Sequence, residues 1–190
     1  MAKAGVKKTS KRERLSAAAV ALAYKQGYGK TTLADLAEES GVPLGNIYYY
    51  FKSRDEIGSA ILDHRVGEFE GLRAHLDTMP GPRERLMGFV HMTIDNAANV
   101  AAYGCPMGSL SAELLKDGGA LAERSNALFA EPMAYMAEQF TQLGHADDAD
   151  ALALQLQSSL QGASLMSQSF RDPSLLQREG ARLLAWLESL

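Results

Sequence analysis

One cysteine in 190 residues excludes a disulfide framework within the chain and gives no sign of a secreted product. No apolar run approaches the roughly 18 residues of a membrane span. The longest, from Ala17 to Tyr24, is mostly alanine. The opening MAKAGVKKTSKRERL is basic and lacks the apolar centre of a signal peptide, so a cytoplasmic protein without membrane attachment is expected. Alternating strand patterns, internal repeats and low-complexity segments beyond the lysine-rich start are also missing. So are a G-x-S-x-G elbow, a phosphate loop and paired carboxylates, and this argues against an enzyme. His64, His75, His91 and His145 are scattered without ligand spacing, and with a lone thiol they predict neither a metal site nor a cofactor.

What is present is an ordinary globular composition, 46% hydrophobic and 22% charged, long enough to bury a core of its own. The formal net charge of −4 conceals an asymmetry. Residues 1–54 hold 10 Lys/Arg against 4 Asp/Glu, net +6, and the remainder holds 9 against 19, net −10. A basic head on an acidic body suggests a polyanion-binding end joined to a region with another task.

Helix signals run from end to end. Ser10-x-x-Glu13, Thr32-x-x-Asp35 and Ser53-x-x-Glu56 each read as a capping box, a short hydroxyl followed three residues later by an acid. Helices are expected over about 11–26, 33–40, 44–51 and 54–76, with Gly27, Gly29 and Gly41 as stops. Pro80-Gly81-Pro82 is the clearest break. Further helices follow over about 83–102, 106–116, 119–143 (with Pro132 kinking or splitting it), 149–170 and 173–190. Asp172-Pro173 supplies a cap and a first-turn proline for the last. The fold class is therefore all-α with about nine helices. Residues 1–54 are expected to form an N-terminal three-helix domain, and residues 55–190 a larger helical domain.

Residues 31–57, TTLADLAEESGVPLGNIYYYFKSRDEI, carry the functional signal. Leu33, Leu36 and Ala37 share one helical face, and Leu44, Ile47, Tyr48 and Phe51 share another at i, i+3, i+4 and i+7. Gly41 permits the left-handed backbone of a tight turn between them. The joint spacing describes a helix-turn-helix. It leaves Gly45, Asn46, Tyr49 and Tyr50 facing outward on a helix suited to a major groove. Glycine admits close backbone approach, the Asn46 amide suits base edges, and tyrosine hydroxyls reach phosphates or bases. Tyr48 lies at the edge of the apolar stripe, where packing is the competing reading. Thr32, Lys52 and Arg54 stand at helix starts, where charge and N–H groups favour phosphate.

This stretch resembles the DNA-binding domain of the TetR family of transcriptional regulators, with GVPLGNIYYYFKSRDEI close to its signature. The resemblance implies a homodimer reading a palindromic double-stranded DNA operator, with a C-terminal small-molecule inducer site that alters the separation of the reading helices. By position it places DNA contacts on Thr32, Gly45, Asn46, Tyr49, Lys52 and Arg54, with Tyr48 and Tyr50 beside them. Pro43 and Leu44 depart from the hydroxyl and the basic residue many members carry there. The basic arm up to Arg14 offers compensating, sequence-blind phosphate contacts.

Beyond residue 78 lie seven of the eight methionines, compatible with an adaptable apolar pocket in which Met92, Tyr103, Met107 and Met136 are candidates, although thioethers also fill cores. Such a pocket suits an uncharged, apolar or electrophilic inducer. Cys105 precedes Pro106 and so stands at the head of a helix. Gly104-Cys105-Pro106-Met107-Gly108 resembles a segment of TetR members that repress N-ethylmaleimide reductase, where a cysteine senses electrophiles. An inert capping thiol is the other reading. Leu152, Leu156, Leu160 and Ala163, followed by Leu175, Leu176, Leu183, Leu184, Trp186 and Leu187, suggest two helices offered to a four-helix dimer interface. The expected function is a ligand-responsive regulator, most simply a repressor. The alternatives are an architectural DNA binder without ligand response, or an enzyme with Cys105 as nucleophile.

Overall fold

The computed structural model describes residues 10–190. Of the basic arm, residues 1–9 lie outside the described residues, while Lys11, Arg12 and Arg14 are exposed on the first turn of a helix. Among the described residues there are eleven α-helices and no strand: α1 (Lys11–Gln26), α2 (Leu33–Ser40), α3 (Leu44–Tyr50), α4 (Arg54–Leu76), α5 (Pro82–Asp95), α6 (Ala97–Tyr103), α7 (Pro106–Asp117), α8 (Gly119–Ser125), α9 (Ala127–Gln142), α10 (Ala149–Phe170) and α11 (Pro173–Ser189). The two beyond the expected nine arise where single predicted helices break at an asparagine, Asn96 between α5 and α6 and Asn126 between α8 and α9. Neither asparagine side chain makes a capping bond, and neither break carries the Gly or Pro that marks a helix stop in a sequence. Pro132, by contrast, lies inside α9 without ending it.

The chain divides within α4 into two compact units, one up to His64 and the other Arg65–Leu190. In the first, Leu15, Leu36, Val42, Ile47, Phe51 and Ile61 form a buried core. Each such side chain contributes about 1.5–3 kcal/mol by leaving water. Two of the capping boxes close reciprocally, Ser10 with Glu13 and Thr32 with Asp35. The third closes differently. Ser53 accepts from the Glu56 N–H at 3.2 Å, but the Glu56 carboxylate reaches one residue further back, to the Lys52 N–H at 2.7 Å. Gly41 adopts φ +64°, the left-handed turn that two crossed helices need.

In the second unit, Phe69, Leu86, Phe89, Phe140, Leu156 and Leu183 belong to one core cluster, with α10 packed against α6, α9 and α11. Leu156, Leu160, Leu176, Leu183 and Leu187 are buried within the chain. The leucine stripes expected to face a partner therefore hold α10 and α11 in their own core. A sequence stripe marks a buried face without saying what buries it. The outward apolar positions of α10 are instead Leu154, Leu165, Met166 and Phe170, the last 71% exposed. Tyr135 donates to Asp77 at 3.1 Å, and the Arg73 guanidinium lies 5.5 Å from its ring centre. Burial, reinforced by the Asp77 bond, pushes the Tyr135 phenol up to about 12.

Candidate nucleic-acid interface and interior cavity

α3 is held by two anchors and little else. Ile47 is fully buried, and Phe51, which ends the helix, is buried as well. Pro43 precedes α3 without a side-chain cap, so only its carbonyl, accepting the Asn46 N–H at 2.8 Å, helps to start the helix. With seven residues and two anchors, the other faces stand in solvent. Leu44 is 47% exposed, Tyr48 58% and Tyr49 77%. The apolar stripe expected to include Leu44 and Tyr48 is therefore narrower than its spacing suggests, and both point outward. Tyr50 is half-buried and meets Tyr49 edge-on, ring centres 5.2 Å apart. Lys52 stands 5.7 Å from the Tyr49 ring centre.

Gly45 and Asn46 are exposed at the start of this face. A Cβ at Gly45 would have nothing within 4 Å, so neither the fold's packing nor its backbone asks for glycine there. Glycine inside a helix costs about 1 kcal/mol relative to alanine.

Beside it, Thr32, Tyr48, Lys52 and Arg54 line a recess of about 260 Å³, which brings together four of the eight expected contact residues. The Thr32 hydroxyl accepts from the Asp35 N–H at 3.1 Å. Bonds from Thr32, backbone first and hydroxyl second, hold the Asp35 carboxyl below the usual carboxylate range. Arg54 is more constrained. It donates to the Tyr28 carbonyl at 3.0 Å, stacks 4.8 Å from the Tyr28 ring centre, and its carbonyl accepts from the Tyr28 hydroxyl at 3.1 Å. This clamp ties the α1–α2 connection to the start of α4.

In the second unit a cavity of about 60 Å³ lies among α5, α6, the head of α7 and α10. Of the candidate ligand residues, Met92, Cys105 and Met107 line it; Tyr103 and Met136 do not. Met136 is fully buried in the main core and Tyr103 is 37% exposed at the end of α6. Residues that spacing did not single out as cavity-lining supply its polar end, Gln157 and Gln161, one turn apart on α10. The only available signal was a glutamine at 157 within the otherwise apolar series Ala153, Leu156 and Leu160.

Cys105 caps α7, its Sγ accepting from the Gly108 N–H at 3.5 Å and from Gln161 Nε2 at 3.4 Å. A Cβ at Gly108 would lie 2.7 Å from Gln161 Oε1, so a side chain there would displace the Gln161 carboxamide. Cys105 and Gln161 also line a more open groove of about 380 Å³ toward Leu165. Among the described residues no group of three or more His, Cys, Asp or Glu is gathered to hold a metal, and no helix is long and apolar enough to cross a membrane.

An N-terminal helix-turn-helix with an exposed second helix, carried on an all-helical chain, defines a protein of the helix-turn-helix regulator class. Residues 15–61 match the family described as bacterial regulatory proteins, tetR family, and residues 82–182 match the LmrA/YxaF-like transcriptional regulator C-terminal domain. The chain belongs to the TetR family. It is similar to an uncharacterized HTH-type transcriptional regulator of Lactococcus lactis, 29% identical over 108 residues, and spans about half of that relative's length, 54% of each chain. Similarity to the HTH-type transcriptional repressor NemR of Escherichia coli K12 is also 29%, over 54% of this chain and 53% of that one. A crystal structure of a putative tetR-transcriptional regulator from Streptomyces avermitilis superposes with TM-score 0.75 at 30% identity, covering 94% of this chain and 96% of that one.

Proposed function

We propose that this protein is a cytoplasmic, ligand-responsive transcriptional repressor that binds a palindromic operator as a homodimer. Its N-terminal domain, residues 1–54, holds the reading helix, and residues 55–190 hold the inducer cavity and the dimer face. The observation that carries this reading is Gly45. It is a glycine in open space on an exposed helix, flanked by Asn46 and Tyr49, a combination unfavourable to the fold and suited to a duplex pressed against it. In this reading Gly45, Asn46, Tyr48 and Tyr49 enter the major groove, and Thr32, Lys52 and the half-buried Tyr50 hold the flanking backbone. Arg54 adds positive charge while its clamp on Tyr28 fixes the corner. The exposed Leu154, Leu165, Met166 and Phe170 support α10 as the face that meets a second copy.

Release follows from linkage. An inducer in the cavity, or modification of the Cys105 thiol, binds or favours the conformation that does not fit DNA, and the coupling is reciprocal. Selection of bound duplexes from a random pool tests the first half. A single enriched palindrome is expected, and indifference to sequence would favour an architectural role instead. Treatment with dilute N-ethylmaleimide tests the thiol branch. Operator affinity is expected to fall for the wild type and to stay unchanged for Cys105→Ser, and an unaffected wild type would remove that branch.

A further inference from the structure

The half-open cavity in the second unit carries at its polar end a buried carboxamide without a partner in the protein. Gln157 is only 4% exposed, and neither Oε1 nor Nε2 of its carboxamide has a hydrogen-bond partner. The other polar side chains at the cavity are engaged. Thr93 donates to the Phe89 carbonyl at 3.1 Å, Ser164 to the Leu160 carbonyl at 2.7 Å, Asn96 accepts from Asn99 at 2.8 Å, and Gln161 donates to Cys105. Buried carboxamides are rarely left unpaired, because desolvation without compensation is costly. An alkyl side chain at 157 would fill the same space without that cost.

No charged side chain lines the cavity, and Phe89, Val100 and Leu160 make its walls apolar. An ion entering it would lose hydration with nothing to neutralise it. We infer that the cavity takes a compact neutral ligand whose adjacent hydrogen-bond donor and acceptor, as in a lactam or other cis-amide, pair with both polar atoms of the Gln157 side chain. Oε1 accepts from the ligand N–H, Nε2 donates to the ligand carbonyl, and the ring lies against Phe89 and Leu160. Met92 and Met107 supply flexible walls that widen the 60 Å³ space as the ring enters. This inference rests on the proposal that the cavity is the inducer site, and it names the chemistry of that site.

The test uses full-length protein and three rings of similar size, 2-pyrrolidinone, cyclopentanone and methylcyclopentane, followed by ligand-observed and side-chain amide NMR. The lactam is expected to bind best, to shift the Gln157 amide resonance, and to lose about tenfold in affinity in Gln157→Leu while methylcyclopentane gains. Gln157→Met is the companion variant should the leucine fail to fold, with the same expected ranking. Equal affinity of the three rings, unaltered in either variant, would overturn the amide pairing and leave the cavity as an unselective apolar site. Failure of all three to bind wild-type protein, with Gln157 satisfied by water only, would overturn both the pairing and the cavity as an inducer site.

Discussion

Gly45 and Gly180 both lie within helices, yet they answer to opposite neighbours. A methyl group at Gly180 would overlap Ile94, so α5 and α11 can pack closely only with glycine there. A methyl group at Gly45 would meet nothing. The two units divide in the same sense. The first keeps its core small and presents its chemistry outward on α3; the second turns an unpaired carboxamide, Gln157, inward. A glycine or a polar side chain thus says little by its type. What lies around it distinguishes a packing role from a role toward an outside partner.

The contrast is broken most forcefully at the anchor beneath α3. Ile47→Ala should destabilise the first unit by about 2–5 kcal/mol, through lost transfer energy and a residual cavity. Hydrogen exchange should then rise over α1–α3 while the amides of α10 and α11 keep their protection. On the outward face, Asn46→Ala should leave the melting temperature unchanged and cost about 1–3 kcal/mol at one operator base pair. Equal losses on operator and random duplex would deny Asn46 a reading role. Gly45→Ala sharpens the comparison with Gly180→Ala. The first should stabilise the fold by about 0.5–1 kcal/mol while weakening operator binding, and the second should destabilise it. Lys52→Ala should lower affinity for all sequences alike and reduce the salt slope by about one.

The smallest effect is a pH dependence. Hydrogen bonds from Thr32 depress the Asp35 carboxyl in the folded state, so its contribution is present above the ordinary carboxylate range and is lost as pH falls through the lowered value. Thermal melts of wild type and Asp35→Asn should therefore converge in acid and separate toward neutrality, the wild type being the more stable.

Most of the first unit was legible because its signals are local. Ser10 with Glu13, Thr32 with Asp35, and Gly41 each determine a cap or a turn within a few residues of themselves. The face of α3 was harder to read, since a helix of two turns offers four apolar positions and buries only two of them. In the second unit the helices were visible but their partners were not. Leucines at 156, 160, 183 and 187 have the same spacing whether they meet another subunit or each other. The cavity was less legible still. Met92 and Met107 line it while Met136 is sealed in the core, a difference set by long-range packing that spacing does not encode. Gln157 was hidden because an unpaired carboxamide is a property of its surroundings.

Methylation interference with full-length protein on its selected operator is the most direct examination of α3 as the reading element. Methyl groups at guanine N7 obstruct the major groove alone. The account predicts that they block binding in two patches related by a twofold axis and centred about 10 bp, or a multiple of that turn, apart. Binding that tolerates methylation at every guanine would contradict it.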